Sequence, residues 1–117
     1  MTKAEVARLL AVAAAFDQRT SGEEDDIAWL AAIGDLNFND ARNAVIAYYR
    51  ECRERIMPVD VRERVAEIRK QRIAAAPPVE IPEHLADRPI EARDWKQRTL
   101  QAIADGADPQ RAIGSGQ

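Results

Sequence analysis

Apolar side chains recur at intervals of three and four along most of the chain, and that period suits the α-helix and no other regular element. The clearest run is Phe38, Ala41, Val45, Tyr48 and Cys52, with Ile46 and Tyr49 widening the stripe. Alternation of period two, which a half-buried strand needs, is missing. Aromatic residues make up 5% of the 117 residues and β-branched residues are sparse. Alanine, arginine, glutamate and leucine recur instead, and all four favour helix.

The other helices follow from caps and stops. A first helix is expected over 2–16, because Thr2 and Glu5 form a T-x-x-E capping box and Val6, Leu9, Leu10, Ala13 and Phe16 make one stripe. A second begins after Ser21, which with Glu24 repeats the capping-box pattern. Residues 23–26 place four acidic groups where the helix dipole favours negative charge. Ile27, Leu30, Ala31 and Ile33 are its expected apolar face, Trp29 flanks them, and Gly34 caps the end. The third helix starts near Asn37 or Asn39 and ends near 53–55. The fourth opens at Met57–Pro58, buries Val61, Val65 and Ile68, and stops before Pro77 and Pro78.

Four prolines fall within residues 77–89, without periodicity, and this stretch reads as an extended linker. A fifth helix is expected over 89–105 with Gly106 as cap, followed by a frayed tail. The expected fold is therefore all-α: a four-helix N-terminal bundle over 1–76, a proline-rich linker over 77–89, and a C-terminal helix with a flexible tail over 90–117.

Composition narrows the class of function. The formal net charge is −3, so no global basic field draws the chain to nucleic acid. Residues 51–76 are the one locally basic stretch, with seven basic and five acidic side chains. The lone Cys52 makes no internal disulfide, which favours the cytosol. Glu5 and Arg8 break the N-terminal apolar run, so it does not read as a signal peptide, and no segment reaches the ~20 apolar residues of a membrane span.

Candidate chemistry is thin. Residues 23–26 lack the alternating ligands and central glycine of an EF-hand and read as a charged helix start. His84 and Cys52 have no ligand or base at motif spacing, and no glycine-rich phosphate loop exists. Neither a catalytic site nor a metal or cofactor is expected. Arg62, Arg69, Lys70 and Arg72 on the fourth helix are candidate phosphate contacts. Glu63 and Glu67 are interleaved with them, so a salt-bridged, solvated face is the default and DNA binding should be weak or absent. Trp95 either packs on a core or anchors a partner. With Leu100 and Ile103 it forms the expected partner-binding set, since Trp95, Thr99, Ala102 and Ile103 share one face.

Four pieces of text carry a resemblance: T-K-A-E-V-A-R-L-L at the start, D-I-A-W-L-A-A-I in the second helix, A-V-I-A-Y-Y-R in the third, and I-M-P-V-D-V before the fourth. Over residues 2–73 the chain resembles the phage replicative-helicase loader and inhibitor family. The resemblance implies a helical N-terminal domain and a flexible C-terminal part that contacts a hexameric replicative helicase. Such loaders hold the helicase inactive and hand it to an origin-bound initiator in the bacterial host cytosol. The similar text stops at Ala76. The function expected is thus an adaptor without chemistry of its own. A DNA-binding accessory protein using the fourth helix, or a regulatory interaction protein, are the alternatives.

Overall fold

A computed structural model describes residues 1–114, and those residues are all helical, without strands. They fall into two compact units, Met1–Glu67 and Ile68–Gln117.

The first unit contains α1 (Lys3–Asp17), α2 (Glu23–Ile33), α3 (Phe38–Glu51) and the first part of α4 (Pro58–Ala75). The capping box of α1 forms as expected. The Glu5 N–H donates to Thr2 Oγ1 at 3.2 Å, and the Thr2 N–H donates to Glu5 Oε1 at 2.8 Å. Two orphan amides at the helix start are thereby satisfied. Val6, Leu9, Leu10 and Ala13 are buried. Phe16, expected in the same stripe, is half exposed and stacks on the Tyr49 ring with centroids 5.1 Å apart.

The cap of α2 is Gly22 rather than Ser21, and the Gly22 N–H donates to Asp25 Oδ2 at 2.8 Å. This one-residue shift accompanies a different buried face. Trp29 and Ile33 are buried, whereas Ile27 and Ala31 are exposed and Leu30 is half-buried. Periodicity alone misled here, because apolar residues surround α2 almost completely and tertiary packing selects the side. Gly34 follows α2 as its C-cap, and its N–H donates to Leu30 O at 2.8 Å. A Cβ at Gly34 would stand 2.4 Å from that carbonyl oxygen, so a side chain there collides with backbone.

Asn37 caps α3, its Oδ1 accepting the Asp40 N–H at 3.1 Å. The helix buries Asp40, Ala41, Ala44, Val45 and Tyr48 and ends at Glu51, a little earlier than expected. The short turn into α4 buries Ile56 completely, and the first part of α4 adds Val61 and Val65. Asp60 Oδ2 accepts the Met57 N–H at 2.9 Å at the start of α4.

The second unit takes up residues 68–75 of α4, a 3₁₀ turn at Glu83–Leu85, α5 (Pro89–Ala104) and α6 (Pro109–Gly114). Three expectations are corrected. The division falls after Glu67, inside α4, rather than after residue 76. The second half of the expected linker is folded: the Leu85 N–H donates to Pro82 O at 2.9 Å, and the Arg88 N–H donates to Leu85 O at 3.0 Å. The expected frayed tail carries a helix over Pro109–Gly114, and its last three residues lie outside the described residues.

Gly106 caps α5 as expected, with φ 101°. Its N–H donates to Ile103 O, and the Ala107 N–H donates to Ala102 O, each at 3.0 Å. This pair of bonds is a Schellman motif, which requires a left-handed residue at the glycine position. Arg72 Nη1 donates to Ala104 O at 2.9 Å, and Arg69 Nη1 donates to Asp105 Oδ1 at 2.5 Å. Arg72 thus meets a C-terminal carbonyl of α5, where the dipole favours a cation, and Arg69 pairs with the carboxylate that follows it. The buried face of α5 is Ala92, Trp95, Thr99, Ile103 and Ala104, with Ala112 of α6 also buried.

Candidate interaction surfaces

The residues expected to anchor a partner have separate fates. Trp95 and Ile103 are 6% and 1% exposed, and Leu100 is half-buried. The shared face was read correctly, but it serves as the core of the second unit. In this state Trp95 and Ile103 present no surface to a partner, and of the three only Leu100 is partly open to one.

The basic residues of α4 are also engaged. Arg62 Nη1 and Nη2 donate to the two carboxylate oxygens of Asp35, at 2.7 and 3.1 Å, and Nη1 also donates to Ala32 O at 3.2 Å. Arg64 pairs with Glu51 at 3.0 Å and lies over the Tyr48 ring. Arg69 and Arg72 hold the end of α5 as described. Lys70 is exposed. Each of the three arginines Arg62, Arg69 and Arg72 thus meets a carboxylate or a carbonyl.

A polar cluster in the first unit has no counterpart in the sequence reading. Arg19 donates from Nε and Nη2 to the Asp17 carboxylate, at 2.9 and 2.6 Å to Oδ2, and the two side chains are each 8% exposed. Arg19 Nη2 also donates to Ile56 O at 2.8 Å, and its guanidinium lies over the Trp29 ring. The Tyr49 hydroxyl donates to Asp17 Oδ2 and accepts the Ile56 N–H at 2.9 Å. Arg19 beside Asp17, with help from Tyr49, holds the Asp17 carboxyl well below the usual range against the opposing effect of burial. Burial first, and then the hydrogen bond to Asp17, pushes the Tyr49 hydroxyl up. The groups satisfy one another inside the fold. The cluster therefore ties the end of α1 to α3 and to the turn before α4. Residues 17, 19, 49 and 56 carry no spacing signal that sequence reasoning could have used.

Among the described residues, no three His, Cys, Asp or Glu side chains are grouped so as to hold an ion. His84 is exposed and Cys52 half-buried. No described helix is long and apolar enough to cross a membrane.

The outer side of α2 remains. Ile27 is 54% exposed, and Ala28, Ala31 and Ala32 are exposed beside it. At 100° per residue these four positions cover an arc of about 140° on one side of the helix. Acidic groups stand at both ends: Glu23, Glu24, Asp25 and Asp26 at the start, and Asp35 just beyond the finish. Comparison with protein-family models, curated proteins and solved structures finds no match to this chain.

Proposed function

We propose that the protein is a non-enzymatic adaptor that receives a helix of a partner protein on the outer face of α2. The observation that carries this reading is the exposed apolar arc of Ile27, Ala28, Ala31 and Ala32. Small side chains let a second helix approach closely, and Ile27 supplies one larger anchor. Burying such a face against a partner is the common helix-docking mode. The acidic groups at both ends of the arc favour a partner helix with lysine or arginine flanking its apolar residues.

The resemblance of residues 2–73 to helicase loaders makes a hexameric replicative helicase the first partner to test, with an origin-bound initiator as the downstream recipient. Under this reading the adaptor works by occupying a helicase surface and needs no DNA contact of its own. The test is affinity capture from bacterial lysate with the full chain and with Ile27→Asp. The wild-type chain retains the helicase, and the variant loses it while keeping its melting temperature. Full capture by Ile27→Asp would remove α2 as the docking face. A wild-type chain that retains other proteins but no helicase would remove the partner assignment.

A further inference from the structure

The helix α4 runs unbroken from Pro58 to Ala75 and buries Val61 and Val65 on one side. Its opposite side carries a narrow exposed stripe. Val59 is 58% and Ile73 38% exposed, and Glu63, Ala66 and Lys70 are exposed between them. At 100° per residue these five positions fall within an arc of about 80°. Val59, Ala66 and Ile73 stand seven residues apart, the spacing that keeps a seam turned toward a second helix. Neither Glu63 nor Lys70 belongs to an ion pair among the described residues. Arg62 and Arg69, on one edge of the stripe, are held by Asp35 and Asp105 at 2.7 and 2.5 Å.

This stripe is complementary to itself when reversed. Ala66 lies midway between Val59 and Ile73, with Glu63 three residues before it and Lys70 four after it. We propose that α4 pairs antiparallel with α4 of a second copy of this chain, about a two-fold axis at Ala66. The axis sets Val59 against Ile73 of the second copy and Glu63 against Lys70 of the second copy, and each contact occurs twice. Glu63 and Lys70 stand on the same edge of the stripe, so opposite charges meet and fix the register. The small side chain of Ala66 lets the two backbones approach closely at the axis. On the other edge Arg62 and Arg69 meet across the axis, each already offset by its own carboxylate. The stripe is about 21 Å long. One helix pair of that length is smaller than a standard interface, so the dimer is a weak one. The pairing rests on nothing in the α2 reading and stands or falls separately from it.

The test is sedimentation equilibrium of the full chain from about 10 µM to about 1 mM, a range suited to weak association. The mass should rise with concentration from 13.1 kDa toward twice that value. Ala66 is exposed, so Ala66→Glu keeps the melting temperature at low concentration and stays monomeric throughout. Glu63→Lys and Lys70→Glu each weaken the dimer on the order of tenfold, because like charges then meet twice. The double variant with both reversals regains it, and an equimolar mixture of the two single variants associates more tightly than either alone. Ile27→Asp leaves the dimer intact. A chain monomeric at every concentration would overturn the proposal. A dimer that survives Ala66→Glu would do the same, as would one lost with Ile27→Asp. Single reversals without effect, or no rescue by the double reversal and the mixture, would overturn the antiparallel register.

Discussion

Asp17, Arg19 and Tyr49 show how much one short stretch of polar side chains can hold. Arg19 alone reaches a carboxylate, a backbone carbonyl and an aromatic ring. Removing the Tyr49 hydroxyl leaves the Ile56 N–H without its acceptor and Asp17 without one donor. Tyr49→Phe is expected to destabilise the first unit by about 1–3 kcal/mol in chemical denaturation, the range for stranding a buried polar group. The depressed Asp17 carboxyl also fixes a pH dependence. The unfolded chain takes up this proton near pH 4, whereas the folded chain resists it to lower pH. Stability from this group is therefore complete above about pH 4 and declines as the pH falls below that value. Asp17→Asn lacks the titration, so its melting temperature should fall less steeply than that of wild type between about pH 5 and pH 2.5. Parallel profiles for the two proteins would show that folding does not depress the Asp17 carboxyl.

Single helices carry the next set of consequences. In α2 the structure sorts two isoleucines that look equivalent in sequence: Ile33 is fully buried and Ile27 is 54% exposed. Ile33→Ala should lower stability by about 2–5 kcal/mol, as for a large-to-small core change. Ile27→Ser should stay within about 0.5 kcal/mol, as surface changes do. The reverse order in denaturant melts would return Ile27 to the core and remove the docking face with it. In α5 the left-handed Gly106 closes the Schellman motif. Gly106→Ala is expected to cost about 1–2 kcal/mol, because a Cβ is disfavoured in that backbone conformation. A Cβ there would also come within 3.7 Å of the Arg72 guanidinium, an ordinary contact, so the loss belongs to the backbone and not to crowding.

Across the whole molecule, the division inside α4 changes what a truncation means. Cutting after residue 76 keeps α4 but removes Asp105 and the Ala104 carbonyl from Arg69 and Arg72. The 1–76 fragment should therefore still melt cooperatively, through the buried residues of the first unit, while its amides at 68–75 exchange with solvent faster than in the full chain. Equal protection of those amides in the two chains would place residues 68–75 with the first unit after all. The same division explains why residues 77–114 are not a free arm: the turn before α5, α5 and α6 surround their own small core of Ala92, Trp95, Ile103, Ala104 and Ala112.

What the sequence determined by itself was local. The T-x-x-E box, Asn37, the proline pair and Gly106 set helix starts and stops through hydrogen bonds that reach only three to five residues. Those elements appear close to where the residues place them. The core stripes of α1 and α3 were also legible, since one side of each is clearly more apolar than the other. Where apolar residues ring a helix, as in α2, sequence could not choose the buried side. Where they are few, as in α5, sequence underrated the burial of Trp95 and Ile103. Only the tertiary structure could make those choices, because burial is decided by which neighbour removes water from a face. It alone could also join Asp17, Arg19, Tyr49 and Ile56, because this depends on side chains meeting across elements that no local period records.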